Sequence, residues 1–153
     1  MRRPPPKLPT DYLDAMKRHW EDAELFWNQE PKRLANADQL YGLVAECGLK
    51  ALMTRLVDGY FDHNYGRPSN RTDRVHADEI WDCYINYVQG GAAARYALPT
   101  DLPTDTNPFE QWEIDDRYAN RMHFGQARVN GHRGAALIVK QLVDKAVSQT
   151  DLP

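Results

Sequence analysis

The sequence predicts an all-α protein, an up-and-down bundle of four to five helices. Apolar side chains recur every three or four residues in four long segments, which is the period of an amphipathic helix. No segment shows the alternation of apolar and polar residues that is typical of a half-buried strand. The 153 residues are the length of one domain. We place that domain at residues 10–149, after a flexible, proline-rich arm at residues 1–9.

The first helix is predicted from Asp11 to Asn28. Thr10 is its expected N-cap, because a hydroxyl can accept a hydrogen bond from a free amide of the first turn. Pro31 marks its end, since the residue before a proline disfavours helical geometry. Its apolar stripe is Tyr12, Met16, Trp20, Ala23 and Trp27.

The second helix, from about Asp38 to Asp58, is expected to be the centre of the fold. Ala45 and Gly48 lie in the middle of its apolar stripe, and small residues there let another helix cross closely. Glu46 and Lys50 are one turn apart with the acid first, which is the favourable order. The stripe is Tyr41, Val44, Ala45, Gly48, Leu49, Leu52, Met53 and Leu56.

A loop rich in turn formers follows at residues 63–72, and Arg67, Arg71 and Arg74 lie in or just after it. Two interpretations remain open, a solvated loop or a phosphate-binding loop. The third helix opens at Val75 and stops before Gly90. His76 is expected to cap that helix or to make a buried polar contact.

Residues 92–108 form a long connection with three prolines, which we expect to cover a groove. An extra helical turn is predicted within it, at Ala92–Tyr96. The last helix is predicted from Gln126 to Gln149, with an apolar stripe that runs from Val129 to Val147.

The net charge of −3 argues against a surface devoted entirely to nucleic acid or membrane. No apolar run approaches the ~20 residues of a membrane span, and no signal peptide is visible, so we expect a cytoplasmic protein. Cys47 and Cys83 are then expected to be reduced, the alternative being a disulfide between two helices.

Positive charge is concentrated late in the chain. From Arg117 to Lys145 there are six Lys or Arg residues against one acid, Asp144. Such a segment can contact an RNA backbone; alternatively, it pairs with the acids that precede it. Candidate RNA contacts are Arg121, Arg128, Arg67 and Arg71.

Metal binding is the other chemistry that the sequence allows. Asp62 with His63, and His76 with Asp78, have residue types that bind metals. No such pair repeats across helices, so we predict no metal and no cofactor.

Three strings of the sequence resemble the HEPN family. Tyr41–Leu52 is similar to the central helix of that family, and Val75–Trp81 to the opening of its next helix. Trp112–Tyr118 is similar to its segment of a tryptophan, four further residues and then Arg-Tyr. The order and spacing of these three strings extend the resemblance to about residues 11–148, nearly the whole chain. The resemblance implies an all-α bundle that is often a homodimer.

Many HEPN proteins are metal-independent endoribonucleases of toxin or defence type, marked by an arginine, four to six residues, and a histidine. Arg117 and His123 have this spacing, with five residues between them, and are the implied catalytic pair. A histidine can transfer the proton of a ribose 2′-OH, and an arginine can stabilise the charge on the phosphate. Six residues of regular helix turn through ~600°. Convergence therefore requires a break near Asn120 or a site shared by two protomers.

The resemblance also allows a second function, a non-catalytic module that binds a nucleotide or a protein partner. That partner would be a nucleotidyltransferase or an antitoxin. Four residues are assigned to the fold or to a groove, namely Glu46, Lys50, Tyr118 and His76.

Overall fold

The protein is a bundle of α-helices around one long helix, which confirms the predicted all-α class. The computed structural model describes residues 3–99 and 106–149. Within these residues the helices are α1 (Tyr12–Asn28), α2 (Leu34–Leu56), α3 (Ala77–Tyr87) and α4 (Gln126–Ser148). No helix among the described residues is both long enough and apolar enough to cross a membrane.

Helix α2 lies at the centre and contacts α1, α3 and α4. The predicted close crossing at Gly48 is confirmed. A Cβ atom at Gly48 would lie 2.5 Å from Val139 Cγ1 of α4 and 3.1 Å from Met16 Sδ of α1. Glycine is therefore the residue that lets both neighbours approach the same turn of α2.

The first two helices begin at positions that differ from the prediction. Asp11, not Thr10, caps α1, because its Oδ1 accepts the amide of Asp14 at 3.0 Å. Thr10 instead donates to the carbonyl of Gly66 at 2.7 Å. Helix α2 begins at Leu34, so Asp38 lies inside the helix and is completely buried.

A small hairpin follows α2, and the sequence did not predict it. Phe61–Asp62 (β1) pairs antiparallel with Arg67–Pro68 (β2). Two residues per strand are too few to produce a detectable alternation. Gly66 in the turn has a φ of +62°, a conformation that glycine adopts without strain.

Short 3-10 helices lie on either side of the gap in the described chain. The one at Gly91–Tyr96 confirms the extra turn predicted there. Two more, Ile114–Tyr118 and Arg121–His123, precede α4. Residues 100–105 are outside the described residues. They form the middle of the connection at residues 92–108 that is predicted to cover a groove. The aromatic rings of Phe109 and Trp112, just after that gap, are buried in the core.

Candidate functional site

The segment that carries Arg117 and His123 is not a regular helix. Its two 3-10 helices are separated by Ala119 and Asn120, which have extended backbone angles. The side chain of Asn120 then caps the second 3-10 helix, since its Oδ1 accepts the amide of Met122 at 2.9 Å. The break near Asn120 that a convergent pair requires is therefore present.

Arg128 anchors this segment to the bundle. Its guanidinium donates to Asp116 Oδ2 at 3.1 Å, to the carbonyl of Gln111 at 3.0 Å and to Asp38 Oδ2 at 3.3 Å. Because two carboxylates already neutralise it, Arg128 is built into the fold. The sequence predicts Arg128 as an RNA contact.

A cleft of about 530 Å³ lies between this segment and the start of α2, and we call it the α2-terminus cleft. Arg117 and Arg121 line it from one side. Lys32 and Arg33, together with the first residues of α2, line it from the other. Lys32 and Arg33 were not predicted as site residues, because they lie in a short polar linker with no periodic pattern.

The cleft carries an excess of positive charge. Asp116 is the carboxylate that lines it, and this group already pairs with Arg128. Lys32 donates to the carbonyl of Trp27, and no carboxylate pairs with Arg33 or Arg121 among the described residues. No side chain caps the first turn of α2, so its amides add partial positive charge. An anion is the ligand that this arrangement favours.

Two large apolar side chains are exposed beside these cations. Tyr118 is 76% exposed and Met122 is 87% exposed. The guanidinium of Arg117 lies 4.8 Å from the centre of the Tyr118 ring. An exposed ring with a cation on its face is a surface on which a nucleobase can stack.

His123 is exposed but does not line the α2-terminus cleft. It follows Arg121 by two residues in the same 3-10 helix. The structure thus brings Arg117 and Arg121 together in one cleft and places His123 outside it.

Four of the other predicted residues lie at a second cavity. Glu46, Lys50, His76 and Arg67 line a cavity of about 600 Å³ between the middle of α2, the hairpin and the start of α3. We call it the Glu46 pocket. Arg71 is exposed on the neighbouring 3-10 helix Arg71–Asp73 and does not line this pocket. The arginines predicted as RNA contacts therefore belong to separate surfaces.

Glu46 is the acidic centre of the pocket. It accepts hydrogen bonds from Lys50 Nζ at 3.0 Å and from His76 Nδ1 at 2.9 Å. Burial would raise the pKa of Glu46, but the hydrogen bond from His76 and the charge of Lys50 outweigh burial and lower it. The same hydrogen bond raises the pKa of His76. His76 occupies the N-cap position of α3 but makes no cap hydrogen bond.

A third polar cluster, which was not predicted either, is buried between α2 and α4. Asp38 Oδ1 lies 2.6 Å from His132 Nδ1, and the His132 ring stacks on Phe109. Arg128 and His132 are one turn apart on α4, which was the available signal of a shared partner. Asp38 and His132 are buried and are each other's hydrogen-bond partners, so this cluster has a structural role.

The two cysteines are unpaired and partly buried, and burial raises the pKa of Cys47 to about 12. This is the environment of an inert thiol. Among the residues described, no group of three or more His, Cys, Asp or Glu side chains has the geometry of a metal site.

Comparisons of the chain with family models, with curated proteins and with solved structures give no match. The function of the chain is therefore inferred from its residues and their geometry.

Proposed function

We propose that the protein acts on RNA and that it holds the phosphate backbone in the α2-terminus cleft. The observation that carries the proposal is the group of four cations, Lys32, Arg33, Arg117 and Arg121, around the uncapped start of α2. The one carboxylate that lines the cleft among the described residues, Asp116, is paired with Arg128 and is outnumbered by the four cations. Phosphate contacts of this kind supply most of the affinity for a nucleic acid.

Single-stranded RNA fits this surface better than a duplex. Tyr118 and Met122 project from the same segment as the arginines and are largely exposed. Unstacked bases can pack on such side chains, and stacking on an aromatic ring contributes about 1–3 kcal/mol per base. The bases of a duplex are already stacked on each other and gain nothing from this contact.

Binding is tested by fluorescence polarisation with a labelled single-stranded RNA. Arg121→Gln removes one cleft cation and should weaken binding by about fivefold. Arg71→Gln is the matched control, because Arg71 is equally an exposed arginine but lies outside the cleft. Equal losses from the two substitutions would exclude the cleft as the binding site.

Cleavage of the bound RNA is the stronger form of the proposal, and the resemblance to HEPN ribonucleases is its source. The support here is that Arg117 and His123 are both exposed and that extended residues interrupt the helical conformation between them. In this mechanism His123 transfers the proton of a ribose 2′-OH while Arg117 stabilises the charge on the phosphate. In a homodimer, two such pairs would provide one base and one acid.

The purified protein and His123→Ala should be incubated with a mixed RNA pool in excess EDTA. Products with 2′,3′-cyclic phosphate ends that disappear in the variant would establish the nuclease. If neither protein cleaves but both bind, the chain is the non-catalytic RNA-binding module. Growth arrest on expression, relieved by the same substitution, would extend the nuclease to a toxin or defence role.

A further inference from the structure

The Glu46 pocket is separate from the cleft assigned to RNA, and it has the construction of a ligand site. Its walls come from five parts of the chain: the N-terminal arm, the start of α1, the middle of α2, the hairpin and the start of α3. Its volume of about 600 Å³ lies within the range of small-molecule pockets. Pro6 of the arm packs against Gly66 in the hairpin turn, so the arm forms one wall.

Two opposite charges in the pocket neutralise each other. Glu46 and Lys50 have side chains that are only 11% and 8% exposed, and they form an ion pair at 3.0 Å. Among the described residues, four further cations line the pocket with no second carboxylate. They are Arg3, Lys7, Arg67 and Arg74. The pocket therefore has a net positive charge, which favours an anionic ligand.

Arg67 provides a free donor at this site. Its Nε atom is buried and has no hydrogen-bond partner among the described residues. Leaving a buried donor of a charged group unpaired costs free energy, so such a group marks a position where a partner is expected. Its guanidinium lies 5.2 Å from the centre of the Tyr65 ring, which supports the planar group from one side.

His76 provides a second, oriented donor. Nδ1 is bonded to Glu46, and the side chain is 49% exposed. The carboxylate fixes the ring orientation and leaves Nε2 as the nitrogen available to a ligand. Its hydrogen bond to Glu46 also raises the pKa of His76, which favours the protonated form that donates from both nitrogens.

We propose that the Glu46 pocket binds a phosphomonoester group, with Arg67 and His76 as its direct ligands. A phosphomonoester presents three acceptor oxygens and up to two negative charges. The guanidinium and the imidazolium match two of those oxygens with charged donors, and the cations of the arm compensate the remaining charge. A carboxylate has fewer oxygens and less charge, and it would leave part of the positive field unmatched.

The test uses inorganic phosphate as the probe and the imidazole resonances of His76 in NMR spectra as the readout. His76→Gln identifies these resonances by their loss. Saturable shifts on addition of phosphate, absent with acetate at equal ionic strength, are the expected result. Phosphate should also raise the pH at which His76 titrates. No saturable shift up to about 10 mM phosphate would overturn the proposal.

The comparison of phosphate with acetate also controls for the other charged groups near His76. Glu46 and Lys50 face it from α2, and further charges surround an adjoining cavity. These are Arg74, Asp78, Glu79, Glu113 and Asp115. Since the same groups are present with acetate and with phosphate, a shift specific to phosphate does not arise from them.

Arg67→Gln should weaken phosphate binding by about tenfold or more, the usual loss for one charged hydrogen bond. Arg71→Gln, four residues away and outside the pocket, should leave it within about twofold. Circular dichroism of both variants excludes unfolding as the cause. Equal binding by the two variants would remove Arg67 from the site and overturn the proposal.

Two ligand sources share this chemistry, a small phosphorylated molecule and the 5′ end of an RNA. Ribose 5-phosphate and a matched pair of RNA oligomers, with 5′-phosphate or 5′-hydroxyl ends, distinguish them. The readout at His76 is independent of the α2-terminus cleft. Weaker RNA binding in Arg121→Gln with phosphate binding intact would therefore separate the two sites.

Discussion

Oδ1 of Asp38 on α2 lies 2.6 Å from Nδ1 of His132 on α4, and both residues are almost completely excluded from water. Arg128, one turn before His132, bonds the other oxygen of the same carboxylate. Trp112 donates its indole N–H to the Asp38 carbonyl at 3.1 Å. One position on α2 thus contacts both the last helix and the buried Trp112, and Arg128 extends the connection to Asp116, beside Arg117.

We expect Asp38→Ala to destabilise the protein by about 3 kcal/mol, because it leaves a buried histidine without its acceptor. Denaturant unfolding measures this loss. Asp115→Ala is the control, because Asp115 is an exposed acid with no ion-pair partner in the described structure, and it should change the free energy of unfolding by less than about 0.5 kcal/mol. Similar losses in the two variants would contradict the structural role of Asp38.

Gly42 should be the least replaceable glycine of α2. A Cβ atom there would overlap the indole ring of Trp112, which is fully buried and fixed by its hydrogen bond. We expect Gly42→Ala to cost about 1–3 kcal/mol, the usual range for overpacking.

Gly134→Ala is the matched control for Gly42, because it also lies inside a long helix but has no described atom near its missing Cβ. It should be neutral or stabilise the fold by up to about 1 kcal/mol, since alanine is the better helix former. Thermal unfolding should therefore occur at a lower temperature in Gly42→Ala and at an equal or higher one in Gly134→Ala. Equal losses from both would show that the Trp112 contact is not what makes Gly42 irreplaceable.

The hydrogen bond between Glu46 and His76 predicts a specific pH dependence of the stability of the fold. The pKa of His76 is raised in the folded state. Its contribution to stability is therefore fully present below the unfolded pKa of about 6.5 and is lost as the pH rises through the folded pKa. The stability difference between wild type and His76→Gln should shrink over that rise.

Glu46 titrates in the opposite sense. Its folded pKa is lowered, so its contribution is present above the unfolded pKa of about 4.3 and is lost as the pH falls through the folded value. Chemical unfolding of wild type and His76→Gln across this pH range measures both effects. A difference that grows between neutral and alkaline pH would contradict the assigned bond.

The salt dependence of RNA binding is a second test of the α2-terminus cleft, because it does not rely on the affinity measured at one salt concentration. For a single strand, the slope of log K against log salt falls by about 0.7 for each phosphate contact removed. Arg117→Gln and Arg121→Gln should each lower the slope by about this amount, and their double variant by about twice as much. Arg128→Gln should instead reduce stability, because Arg128 joins Asp38 and Asp116. An unchanged slope in the double variant would rule out phosphate contacts by these two arginines.

Helical periodicity alone determined the class of this fold and the location of its helices. The apolar stripes of α1, α2 and α4 are long, and their period is set by local backbone geometry, so four predicted helices appear within a few residues of their observed bounds. Gly48 was also identified as a crossing point, because a missing side chain in an apolar stripe leaves space that a neighbouring helix can fill. The HEPN resemblance and its ribonuclease chemistry remain predictions.

Only the tertiary structure decided which charges act together. Arg117, Arg121, Lys32 and Arg33 are brought to one cleft by the packing of a late segment on the start of α2. Arg128, from the same basic run, is instead neutralised by Asp38, ninety residues earlier in the chain. Local patterns predict where a helix lies because its hydrogen bonds are local. They do not predict ion-pair partners, because these are chosen by whichever side chains the fold brings within a few ångströms.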